Sequence, residues 1–130
     1  MEFTIAIIDD DQDDIDVLCD VLDREELKRS ERRLTFTDSQ KAIQTMTAPS
    51  YSSIPSHVFV DYNMPLVTGK DVVKALRNDE RYDDSIIAVV STGLNETDAS
   101  EFKKLGADFT FSKPYNMRDY SVIIGQVLGL

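Results

Sequence analysis

One cysteine, one histidine and the absence of any long apolar run are the first features of this 130-residue chain. Cys19 has no second cysteine to pair with, which excludes an internal disulfide and suits a reducing compartment. Its helical spacing with Ile15 and Leu22 reads as a buried structural thiol rather than a reactive one. No apolar stretch approaches the roughly 20 residues of a membrane span. Met1-Glu2-Phe3 lacks a basic region followed by an apolar stretch, so no secretory signal is expected and a cytoplasmic location is. Positive charge is scarce as well: 14 basic against 24 acidic residues leave a net charge of −10. Such a surface repels nucleic acid, whose binding domains carry a basic footprint. Lys28-Arg29 and Arg32-Arg33 cluster locally and read as a solvated helix end, where cations complement the macrodipole. Repeats, low-complexity tracts and linkers are absent, and residues 1–130 are expected to form one domain with no membrane association.

What is present is an alternation of strand and helix patterns. Phe3-Thr4-Ile5-Ala6-Ile7-Ile8 is a continuous apolar run of the kind that buries both faces of a strand. Ile15, Leu18, Cys19 and Leu22 then recur at helical spacing, with Asp11 or Asp13 as cap and Asp14 favouring the positive end of the helix dipole. A short strand around Leu34-Thr35-Phe36-Thr37 precedes a helix that turns Ala42, Ile43 and Met46 inward behind Asp38 or Ser39 as cap. Residues 57–61 read as a third strand, and Asp71 to Asn78 as a helix after a loop ending at Gly69. Ile86 to Val90 is a second strong buried-strand signal. A helix from Asn95 or Thr97 carries Ala99, Phe102 and Leu105 and closes at Gly106. Phe109 to Ser112 makes a fifth strand, and Tyr120, Ile123, Ile124, Val127 and Leu128 share one stripe of a last helix. Strands alternating with helices in this way predict an α/β three-layer sandwich around a doubly wound parallel sheet.

Ligands bind such sheets at the carboxyl ends of the strands. There the sequence places Asp9-Asp10, Asp61, Ser91-Thr92 and Lys113. Clustered carboxylates repel one another and call for a cation; hard oxygen donors of this kind select magnesium. With a hydroxyl pair and an ammonium beside them, they suit the handling of a phosphoryl group, with Asp61 as nucleophile. The simpler reading of Asp9, Asp10 and Asp11 is a helix cap, but one aspartate satisfies that need and three do not. Lys113 taken alone would be a surface lysine; its place at a strand end before Pro114 gives it a role. His57 precedes the third strand, far from the carboxylates, and reads as a surface residue. Tyr62 flanks the site without chemistry. Tyr115 and Tyr120, with the last helix, offer a partner or homodimer face, although the stripe of Ile123 and Ile124 draws Tyr120 toward the core.

The motifs Ile7-Ile8-Asp9-Asp10-Asp11, Val60-Asp61-Tyr62-Asn63-Met64-Pro65 with Gly69 downstream, Val89-Val90-Ser91-Thr92, and Gly106-Ala107-Asp108 leading to Lys113-Pro114-Tyr115 follow one order and spacing. By these the chain resembles the receiver domains of two-component response regulators over essentially its whole length. It is similar to stand-alone, chemotaxis-type receivers and to the small regulators paired with phytochrome-type kinases. The resemblance implies a flavodoxin-like sheet of order 2-1-3-4-5. It further implies that Asp61 accepts a phosphoryl group from the phosphohistidine of a sensor kinase or phosphotransfer protein and loses it by hydrolysis. Asp9, Asp10, Asp61 and the backbone carbonyl of Asn63 would hold Mg2+. Ser91 would be the switch hydroxyl with Thr92 as its neighbour, Lys113 would contact the phosphoryl oxygens, and the bond before Pro114 would be cis. Output would be contact with a downstream protein target.

One departure matters. Thr110 stands where the family usually has an aromatic residue, and strand alternation puts Phe109 and Phe111 on the opposite face. This points to the loop after Ser91 as carrier of the signal. Two other classes fit parts of the pattern: a docking module without phosphoryl chemistry, and a magnesium phosphatase. The intact aspartates and Lys113 oppose the first. Asn63, where phosphatases of that kind usually carry a second carboxylate, opposes the second.

Overall fold

The computed structural model describes residues 3–24 and 31–130, so Lys28-Arg29 lies outside the described residues. Five parallel strands, β1 (Phe3–Ile8), β2 (Glu31–Phe36), β3 (His57–Val60), β4 (Ile86–Ser91) and β5 (Phe109–Ser112), form one sheet of order β2-β1-β3-β4-β5. Helices α1 (Gln12–Arg24), α2 (Ser39–Met46), α3 (Gly69–Arg77), α4 (Glu96–Leu105) and α5 (Met117–Leu128) connect or follow them, with a short 3-10 turn at Glu80–Tyr82. This is the expected flavodoxin-like sandwich.

Two apolar clusters hold the layers together. On one face, α1 and α5 bury Ile15, Leu18, Leu22, Tyr120, Ile123 and Ile124 against Ile5, Ile7, Phe59 and Val90. On the other, α2, α3 and α4 bury Ala42, Met46, Val72, Leu76 and Phe102 against Ile8, Val58, Val60 and Val89. Alternate residues of β1 and β3 therefore serve opposite cores, which is why these strands read as unbroken apolar runs. Among the described residues, no helix is long and apolar enough to cross a membrane.

The helix ends follow their side chains. Asp38 caps α2 by accepting from the backbone N–H groups of Gln40 and Lys41, Asn95 caps α4 through Asp98, and Gly106 closes α4 in the left-handed conformation. The bounds of two elements and the burial of one residue differ from the sequence reading. The edge strand β2 starts at Glu31 and ends before Thr37, because Arg32 and Arg33 interrupt its apolar pattern; the Arg33 guanidinium instead pairs with Asp23 at 2.7 Å. Helix α3 starts at Gly69, ahead of Asp71, whose carboxylate accepts from the Thr68 backbone N–H at 2.9 Å. His57 is no surface residue: it opens β3, is buried, and its Nδ1 lies 2.8 Å from Ser56 Oγ.

The chain runs from β1 to β2 in one direction across the sheet and from β3 to β5 in the other. The crevice at that reversal lies at the carboxyl ends of β1 and β3, where Ile8 is in register with Val60. The next residues along those strands are Asp9 and Asp61.

Candidate functional site

Backbone pairing continues past both strands. The Asp61 N–H donates to Ile8 O at 2.9 Å and the Asp9 N–H to Phe36 O at 3.0 Å, which fixes the two aspartates side by side. Gly69 is packed so closely below that a Cβ there would sit 2.4 Å from the Asp61 carbonyl oxygen. That contact explains glycine at the first position of α3. Asp9, Asp10 and Asp61 each offer a carboxylate oxygen, and these oxygens lie within 4.8 Å of one another. Asp9 and Asp61 are buried while Asp10 is exposed.

Lys113, at the end of β5, reaches across this cluster. Its Nζ donates to Asp9 Oδ2 at 2.9 Å and to Asp14 Oδ2 at 2.7 Å, and stands 3.6 Å from Asp61 Oδ1. That last separation is an ion pair but not a hydrogen bond, and Asp61 Oδ1 is a buried oxygen with no hydrogen-bond partner. Burial pushes the Asp9 carboxyl up to about 6; the Asp11 backbone N–H and the Lys113 ammonium oppose the rise, and the nearby Asp61 carboxylate adds to it. Burial alone would lower the Lys113 ammonium. The hydrogen bonds to Asp14 and Asp9 outweigh it and raise Lys113 above its ordinary value, so it stays charged.

Ser91, the last residue of β4, is fully buried. The Asn63 side-chain amide donates to Ser91 Oγ at 3.2 Å and to the Thr92 carbonyl at 3.0 Å, while Thr92 itself is exposed. The structure thus brings together Asp9, Asp10, Asp61, Ser91 and Lys113, with Asn63 and Thr92 at the rim. It adds two contacts that the sequence reading missed: Asp14 as a partner of Lys113, and the Asn63 side chain as a tie to the β4 end. Asp14 sits in the first turn of α1, and its reach to Lys113 depends on how that helix packs on the sheet, for which the sequence carries no local signal.

The surroundings settle other expectations. Phe109 and Phe111 stack at 5.7 Å between ring centroids and pack on the α1–α5 core, on the face opposite Thr110, as alternation requires. Thr110 borders a hollow of about 450 Å³ lined also by Ala99, Ser100 and Lys103 of α4. Tyr120 is buried and Tyr115 fully exposed. Tyr62 meets the Phe102 ring edge-on at 5.2 Å, with Lys70 Nζ 4.9 Å from the Tyr62 ring centre. Cys19 is half-buried against the α1–α5 core. The peptide bond before Pro114 is trans, against the expectation of cis; trans is the commoner isomer even for X-Pro.

The chain matches the family described as response regulator receiver domain over residues 5–124. It belongs to that family. A stress response regulator protein 1 of Candida tropicalis is 41% identical over 59 residues, covering 45% of this chain and 22% of the relative. The chain thus spans about a fifth of that relative's length. Among solved structures, the phosphorylated cyanobacterial phytochrome response regulator RcpA superposes with a TM-score of 0.85 at 21% identity, over 98% of this chain and 95% of that one. The manganese-bound form of response regulator Rcp1 gives a TM-score of 0.82 at 18% identity, over 98% and 93%. At these identities the superpositions establish the receiver fold. Family membership makes the chain a receiver domain of two-component signal transduction.

Proposed function

We propose that this receiver takes a phosphoryl group onto Asp61 from a phosphohistidine donor in a magnesium-dependent reaction, and that the modified rim changes its contacts with a downstream protein. The observation that carries the reading is Asp61 Oδ1: buried, without a hydrogen bond, and 3.6 Å from a charged ammonium. A buried carboxylate oxygen left unsatisfied is costly, and a cation or an incoming phosphoryl group would offset that cost.

The donor set fits magnesium. Asp9, Asp10 and Asp61 each offer a hard carboxylate oxygen, these oxygens lie within 4.8 Å of one another, and hard oxygen donors are what magnesium takes. These three, with the Asn63 backbone carbonyl, would hold the ion, which when bound supplies neutralising charge to the incoming phosphoryl oxygens. The chain's own residues do the rest. An Asp61 oxygen attacks phosphorus, the P–N bond to the donor imidazole breaks as the P–O bond forms, and the imidazole leaves. The Lys113 ammonium turns to a phosphoryl oxygen. The Ser91 hydroxyl, which accepts from the Asn63 amide, donates its O–H to another phosphoryl oxygen; its movement toward that oxygen draws it from Asn63, loosens the tie to Thr92 and shifts the loop at residues 91–96. Water later hydrolyses the acyl phosphate. Asn63 gives its amide to Ser91 and Thr92 and offers no acid or base, so phosphatase turnover on outside substrates is disfavoured.

The histidine comes from a sensor kinase or phosphotransfer protein, in the cytoplasm, and the acidic surface disfavours nucleic acid as a target. A homodimer through the exposed Tyr115 side of α5 is a further contact this reading admits. Incubation with a small phosphodonor and magnesium is expected to give an acid-stable, base-labile phosphate that Asp61→Asn abolishes. Labelling that persists in that variant overturns the proposal.

A further inference from the structure

Asp14 is the charged group nearest Lys113 and has no part in the scheme above. It projects from the first turn of α1, and its Oδ2 lies 2.7 Å from Lys113 Nζ, against 2.9 Å for Asp9 and 3.6 Å for Asp61. An ammonium points its donors where its partners are. Here two hydrogen bonds go to Asp9 and Asp14, and Asp61 receives none. The Asp61 side chain is buried and that of Lys113 nearly so, whereas Asp14 is half-buried at the edge of the site. The ammonium is thus drawn outward, off the carboxylate that would accept the phosphoryl group.

We propose that Asp14 is a positioning residue that sets where the Lys113 ammonium sits, holding it off Asp61 while the site is unmodified and competing for it once a phosphoryl group arrives. The inference rests on Asp61 as the phosphoacceptor. It has two consequences of opposite sign. With the Asp14 charge removed, Lys113 closes on Asp61 and the site loses one negative charge, so a divalent cation binds more weakly. The same change frees Lys113 for a phosphoryl oxygen and removes a carboxylate that repels it, so a phosphoryl group is held more tightly. A residue that only supported the fold of α1 would weaken both when replaced.

The test measures two affinities on the whole chain: magnesium by calorimetry, and beryllium trifluoride, a phosphoryl mimic, at saturating magnesium. For Asp14→Asn, magnesium affinity is expected to fall by about fivefold and trifluoride affinity to rise by about fivefold, the scale of one partly exposed ion pair. Asp14→Glu, which keeps the charge, is expected to stay near the parent in both. Constants that move together in Asp14→Asn, or do not move, overturn the role of Asp14. Asp61→Asn separates the two proposals: it is expected to lose trifluoride binding, and if it binds the mimic like the parent, the phosphoacceptor reading fails as well.

Discussion

The two edges of the sheet use polar side chains in opposite ways. At the amino edge, where β4 and β5 begin, polar side chains are tied to backbone. Arg77 donates to the carbonyls of Gly106, Tyr82 and Ser85 at 2.8, 2.6 and 2.9 Å and pairs with Asp108 at 2.8 Å. Ser85 Oγ donates to Pro55 O, Tyr82 Oη to Met46 O, and the Asp108 carboxylate accepts from the Ile87 N–H. At the carboxyl edge, a buried oxygen of Asp61 goes unbonded, Asp9 is raised to about 6, and carboxylates crowd one ammonium. The difference separates two tasks. The amino edge closes the fold, and the carboxyl edge leaves charge incompletely paired at the expense of stability.

The largest break in that comparison is Arg77→Ala. It leaves three carbonyls and Asp108 without their shared donor, and an expected loss of about 3–4 kcal/mol in urea unfolding follows. Phosphate incorporation with a small phosphodonor, measured where the variant is still folded, is expected to match the parent. A drop in incorporation without a loss of stability would show that the edges are not independent. Gly69→Ala acts from the other side. Its methyl group meets the Asp61 carbonyl at 2.4 Å, so the backbone at Asp61 must shift. About 1–3 kcal/mol is expected, as for overpacking generally, with slower phosphate incorporation alongside. Unchanged incorporation would mean that the proposed chemistry at Asp61 tolerates movement of its backbone.

The same contrast explains what could be read from the chain before its structure. The apolar runs Ile5 to Ile8, Val58 to Val60 and Ile87 to Val90 declare central strands because both faces are buried, and the stripe of Tyr120, Ile123 and Ile124 declares α5. With those strands placed, Asp9, Asp10, Asp61, Ser91 and Lys113 fall on one rim, since a parallel sheet puts all carboxyl ends together. Side-chain direction is another matter. Asp14 and the Asn63 amide owe their contacts to how α1 and the β3–α3 loop sit on the sheet, which local pattern does not encode. The start of β2 was hidden because an edge strand tolerates Arg32 and Arg33. His57 differs for a similar reason: a histidine at a strand end reads as solvated from the sequence, and its burial arises only from tertiary packing.

His57 supplies the smallest and most specific test of the amino edge. Burial lowers its pKa below the ordinary 6.5. In the unfolded chain the ring takes a proton as pH falls through about 6.5, while in the folded chain it resists until lower pH. Between those values the unfolded state binds more protons, so stability is complete above about 6.5 and declines as pH falls toward the folded value. Carboxylates titrate in the same range, and the difference between parent and His57→Gln isolates the ring, because the rim lies at the other end of β3. Unfolding free energies at pH 7.5, 6.0 and 5.0 are expected to show the parent losing ground relative to His57→Gln as pH drops. Parallel curves would mean that His57 is as accessible to protons in the folded chain as in the unfolded one, and the amino edge would then be less closed than its hydrogen bonds imply.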